Sequence, residues 1–164
     1  MVALETGHSS ESYLSGGDKL LEKMAFYLPK NFKIQVILPS IGSKHWHKAN
    51  LKNVSLLDLK ANRYDNLQSP FKIFLAYLIR IWGSYFQLRH LKNFDMIYSS
   101  TNVLPDIAPA FLYKLTHPKT PWISRVHHLI QPPLNRPGSK IVNFGSYLMQ
   151  SISNVMIPIP RTAI

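Results

Sequence analysis

Residues able to do chemistry gather in a few short stretches of this chain. The richest runs from Trp122 to Leu129 and holds Arg125, His127 and His128. Histidine changes charge near neutral pH, so either ring could serve as a general base or hydrogen-bond a hydroxyl or phosphate. On a strand, neighbouring side chains point to opposite sides, so at most one of His127 and His128 faces a site. Arg125 suits a phosphate and suits a structural ion pair equally well. The plain alternative for the histidines is a ring satisfied by backbone at a strand end.

A second stretch is Ser15-Gly16-Gly17-Asp18. Glycines let the backbone approach a ligand closely, and the free amides of a following helix attract an anion. The pattern is neither G-x-G-x-x-G nor a P-loop, because no Gly-Lys-Ser/Thr follows. A simple helix-entry turn explains the same residues. The third stretch, Tyr98–Asp106, supplies Ser99, Ser100, Thr101, Asn102 and Asp106, hydrogen-bonding groups suited to a polyol or to turn and capping work. His45-Trp46-His47 has a spacing at which a strand would present two metal ligands, but no third ligand is near. A solvated loop is expected there, and no metal site.

The elements that must carry these residues follow from periodicity. Met1–Glu5 is a short apolar run and reads as a buried strand. Leu20, Leu21, Met24, Ala25 and Leu28 share one helical face behind Asp18, and Pro29 and Asn31 mark the stop. Phe32–Pro39 and Val54–Leu59 read as strands, with Ile41–Asn53 a loop between them. Pro70–Leu91 is the longest periodic segment. Phe71, Phe74, Leu75, Leu78, Ile81, Trp82, Tyr85 and Leu88 make one broad apolar face, expected to turn to the core. With Lys72, Arg80, Arg89 and Lys92 the same segment also fits a basic amphipathic membrane helix. Phe94–Ser100 is a fourth strand, Leu104–Thr116 a helix despite Pro105 and Pro109, and Pro121–Leu129 a fifth strand. Ser139–Ile152 reads as a helix and Val155–Ile159 as a last strand.

This alternation predicts a single α/β domain over residues 1–164. It should be Rossmann-like and doubly wound, with a mostly parallel sheet of about six strands and helices on both faces. Ligands of such sheets bind at the carboxyl ends of the strands. The clusters Thr6–Gly17, Ser99–Asp106 and Arg125–Arg136 all fall at such ends.

Composition narrows the partners. The chain has 164 residues, 46% hydrophobic and 16% charged, which excludes a mainly disordered chain. It has no cysteine, which excludes disulfides, a thiolate nucleophile and a Cys-based zinc site. The formal net charge of +11 favours anionic partners such as acidic lipid, a phosphorylated metabolite or nucleic acid. No helix-turn-helix, zinc or RNP-type signature supports nucleic acid. The first ten residues lack a secretory signal pattern, and Lys72 and Arg80 interrupt the best apolar run, so no membrane span is expected.

The three clusters in their order carry a resemblance. Glu5-Thr6-Gly7 with Ser15–Leu20, Phe94–Thr101, and Arg125–Pro133 together resemble the N-terminal domain of GT-B glycosyltransferases of family four. The resemblance spans nearly the whole chain. It implies retaining transfer from a nucleotide sugar to a glycan or lipid-linked acceptor, with no metal or other cofactor. Gly16 and Gly17 would approach the donor diphosphate, with Arg125 steadying phosphate. His127 matches the family's Val-His-Asp pattern and would contact the transferring sugar. His128 stands where the family has Asp, which leaves the role open between the two. Ser100, Thr101 and Asp106 fall on the acceptor side. The family's donor-binding domain and its E-x7-E pattern do not occur in this sequence. The expectation is a truncated product, a fragment or one half of a split enzyme, inactive alone, whose partner is a separate donor-binding chain. A non-catalytic or membrane-anchoring subunit is the rival expectation. Either would be cytoplasmic, with peripheral contact at the inner membrane face.

Overall fold

The computed structural model describes residues 1–4, 6, 16–65, 69–126 and 131–157. Five short strands form its centre: β1 (Val2–Leu4), β2 (Ile34–Pro39), β3 (Val54–Leu59), β4 (Ile97–Ser99) and β5 (Trp122–Ser124). Every neighbouring pair is parallel, in the order β3-β2-β1-β4-β5. Five helices connect or follow them: α1 (Gly16–Tyr27), α2 (Ser40–Ala49), α3 (Pro70–His90), α4 (Leu104–Thr116) and α5 (Lys140–Met156). The fold is the doubly wound α/β sandwich expected from the alternation of elements.

Side-chain alternation along the strands builds a core on each face. Val2, Leu4, Ile37 and Ile97 pack with Leu88 of α3 and with Ala110 and Tyr113 of α4. Ala3, Val36 and Leu38 pack on the other face with Leu21 and Ala25 of α1 and Trp46 of α2. All three residues of β1 are fully buried, as a central parallel strand covered on both faces must be.

Several expected boundaries change. Among the described residues the sheet has five strands, where about six are expected. Val155 and Met156, expected to start a sixth, are the last residues of α5, while residues 158–159 lie outside the described residues. Residues 40–49, expected as a loop, form α2. Only Ile41 and Trp46 give this helix large buried side chains, five positions apart, so it shows little apolar periodicity. It ends at Asn50, which takes the left-handed conformation (φ 46°) and so acts as a C-cap.

The long helix α3 appears where its periodicity placed it, but rotated. Its buried residues are Ala76, Arg80, Ile81, Ser84 and Leu88. Phe71 and Trp82, expected to face the core, are 69% and 52% exposed. The small residues Ala76 and Ser84 turn inward with Ile81 and Leu88, which pack on Leu104, Ala108 and Ala110 of α4. No described helix is long and apolar enough to cross a membrane.

Candidate functional site

The strand order reverses direction between β1 and β4, which in open α/β sheets is where a crevice opens at the carboxyl edge. One carboxyl group organises that point. Asp106, in the first turn of α4, is buried and accepts hydrogen bonds on both carboxylate oxygens. Its Oδ1 takes the Thr6 backbone N–H at 2.6 Å, and the Thr6 hydroxyl oxygen lies 3.0 Å from the same atom. Its Oδ2 takes the Ser100 and Thr101 hydroxyls at 3.2 and 2.5 Å. The latch ties the chain leaving β1, the chain leaving β4 and the start of α4 into one body. Burial pushes the Asp106 carboxyl above the ordinary carboxylate range, against the pull of the hydrogen bonds from Thr101, Thr6 and Ser100.

Proline placement explains a further bond. Pro109, inside α4, has no N–H to give to the carbonyl four residues earlier, that of Pro105. The Thr6 hydroxyl donates to that carbonyl at 2.6 Å. A helix defect thus becomes an anchor for β1.

Arg80 is the second organiser. It lies buried on α3 and pairs through Nη2 with Asp65 Oδ1 at 2.6 Å, both side chains being under 10% exposed. Its Nη1 donates to the Thr6 carbonyl at 3.1 Å. The cost of burying this pair is offset by its close contact and by the further hydrogen bond to Thr6. From sequence Arg80 reads as a charge interrupting an apolar run and as one of the basic residues of an amphipathic helix. The signal available was that an arginine amid apolar helix residues is rarely buried without a carboxylate partner.

Beside the latch lies a groove of about 940 Å³. One wall is a face of α3: Pro70, Ile73, Phe74 and Tyr77. The facing wall is a face of α5: Ile141, Val142, Gly145, Ser146, Met149 and Gln150. Asn102, Val103 and Leu104, the segment between Thr101 and Asp106, complete it with Gln131 and Arg136. Burial raises the Tyr77 phenol above its usual range, Arg80 opposing and Asp106 reinforcing the shift, so the hydroxyl stays a hydrogen-bond donor.

The residues singled out from sequence fall as follows. Ser100, Thr101 and Asp106 do come together, both hydroxyls bonding the Asp106 carboxylate. Their hydroxyl hydrogens go to Asp106, and all three side chains are buried. Gly16 and Gly17 open α1, with Asp18 in its first turn, on the connection that leaves the carboxyl end of β1. Arg125 directly follows β5 and its N–H reaches the Ser99 carbonyl at 3.2 Å, which sets it at the same edge. His127 and His128 lie outside the described residues, as do Glu5 and residues 7–15. His45 and His47 sit on α2 rather than on a loop. His45 Nε2 lies 2.8 Å from Glu22 Oε2, and His47 Nε2 lies 3.6 Å from Asp58 Oδ2. Two positions apart on a helix, they point to different sides and cannot share a metal. Among the described residues no group of three or more His, Asp or Glu could hold a metal ion.

No family model matches the chain, and no curated protein or solved structure matches it at a significant level. What is established is the class: a Rossmann-like α/β domain whose carboxyl edge carries a buried carboxylate latch and an apolar groove.

Proposed function

We propose that this chain is the acceptor-side domain of a retaining glycosyltransferase of the GT-B type, which moves a sugar from a nucleotide-sugar donor to a glycan or lipid-linked acceptor. The observation that carries the reading is the strand order, with its reversal between β1 and β4 and all three motif clusters leading from carboxyl ends of strands. In this reading Gly16 and Gly17 approach the donor diphosphate and Arg125 steadies it. His127 or His128 bonds the sugar. The Ser100–Thr101–Asp106 latch shapes the acceptor side rather than donating protons to it. The donor's nucleotide is held by a second domain or a separate chain, no metal takes part, and the setting is cytoplasmic.

The test is a transfer assay with UDP- and GDP-linked hexoses. The chain is assayed alone and together with the protein encoded next to it. No product is expected from the chain alone. Product from the pair should fall at least about a hundredfold in either His127→Ala or His128→Ala, the usual scale for losing a positioned acid–base group. Transfer by the chain alone, or transfer indifferent to both histidines, would overturn the reading.

One observation favours a second reading, a membrane-anchoring subunit without catalysis. Phe71, Trp82 and Phe86 of α3 and Phe144 and Val155 of α5 are all more than half exposed on a chain of net charge +11. Aromatic and aliphatic side chains on a basic domain suit an acidic lipid surface. Sedimentation with phosphatidylglycerol vesicles, lost in Trp82→Glu, distinguishes it.

A further inference from the structure

The groove between α3 and α5 combines three features that do not belong to an ordinary packing defect. Its walls are mostly apolar, yet Arg136 reaches into the lining, and its Nη1 is buried with no hydrogen-bond partner among the described residues. A guanidinium nitrogen withdrawn from water without an acceptor is costly, and the cost is relieved when an anion arrives. Arg136 is held in place: the Asn143 side-chain amide, buried on α5, donates to the carbonyls of Arg136 and Pro137 at 3.1 and 3.3 Å. The third feature is Gly145. It lies in the middle of α5, where glycine weakens a helix, and a Cβ there would meet nothing within 4 Å. Packing does not require glycine at this position; its effect is to leave the groove open.

We infer that this groove is a binding site for a single-chain anionic lipid, an alkyl or isoprenyl phosphate taken up as a monomer. The chain lies between Ile73 and Phe74 on one side and Val142 and Met149 on the other. The phosphate meets Arg136. The α5 wall from Ile141 to Gln150 runs about 14 Å, and the volume of about 940 Å³ is at the top of the roughly 300–1,000 Å³ range of small-molecule sites. The positive net charge draws an anionic amphiphile toward the domain. The site does not rest on the transferase reading, since occupancy needs no donor and no transfer.

Calorimetric titration of the intact chain with dodecyl phosphate, kept below its micellar concentration, tests the inference. One ligand per chain is expected. Shortening the alkyl chain should weaken binding about fourfold for each methylene removed. Arg136→Gln should weaken it at least about tenfold, the loss of a charge-assisted contact. Gly145→Phe should abolish binding while the thermal midpoint holds or rises. Val142→Phe, at an exposed position, gives the same readout if the first variant does not fold. Four results would each overturn the site: equal affinity for dodecyl maltoside, equal affinity for inorganic phosphate, unchanged binding by both filled-groove variants, or binding only to phosphatidylglycerol vesicles. The last would make the contact a surface one through the exposed faces of α3 and α5.

Discussion

At the scale of single residues, Asp106 shows how a group legible as polar can do a different task from the one its type suggests. Its side chain is buried and fully engaged, so it organises the crevice. Asp106→Ala is expected to cost about 3 kcal/mol, because the buried Thr6 N–H loses its acceptor and the Ser100 and Thr101 hydroxyls theirs. Asp106→Asn keeps an acceptor for Thr6 and should cost much less. It should also alter the pH profile. Burial raises the folded-state pKa above the unfolded one, so the folded chain holds the proton more tightly. The stability this contributes is full below the unfolded value and is lost as pH rises through the folded value. Urea midpoints measured near pH 4 and near pH 7 should therefore move in favour of Asp106→Asn at the higher pH. A gap between the two proteins that does not change with pH would count against a raised pKa. The cluster Ser99–Asp106 was visible in the sequence as hydrogen-bonding chemistry at a strand end. Its partner Thr6 was not, because it stands 100 positions away from Asp106.

At the scale of elements, α4 and β1 are joined by a compensation between a proline and a hydroxyl. Pro109 leaves the Pro105 carbonyl without its helical donor, and the Thr6 hydroxyl supplies one. Thr6→Val removes that donor and is expected to cost about 1–2 kcal/mol. In a Pro109→Ala background the helix can close its own bond, so the same Thr6→Val change should cost less. A double-mutant cycle in urea should give a coupling of about 1 kcal/mol, and strict additivity would show that the two groups act independently. The irregular start of α4 could be read from its two prolines. The receiver of the freed carbonyl depended on where β1 lands. Helix α3 makes the same point. Its length and limits followed from its apolar spacing and from Ser69-Pro70 at its start. Its rotation did not, because the packing of Ile81 and Leu88 on α4 sets which face turns inward. Helix α2 was missed outright: with Ile41 and Trp46 as its only large buried side chains, it has no stripe to detect.

At the scale of the whole molecule, the +11 charge is a standing repulsion across a small domain. Raising NaCl from about 0.01 M to about 0.15 M shortens the screening length from about 30 Å to about 8 Å. The thermal midpoint should therefore rise with salt. A fall would mean that specific ion pairs, such as Arg80 with Asp65, outweigh the net repulsion. By itself the sequence determined the class of fold, the positions of four of the five helices, and the gathering of polar clusters at carboxyl ends of strands. These follow from local propensity and from periods of two and 3.6, which nearby residues encode. Only the tertiary structure decided that Val155 and Met156 extend α5 rather than open a strand, that Arg80 turns inward to Asp65 and Thr6, and that Arg136 and Gly145 line a groove facing α3. Each of these depends on which distant segments are brought together, and pairing at long range is set by packing of the whole chain rather than by any local pattern.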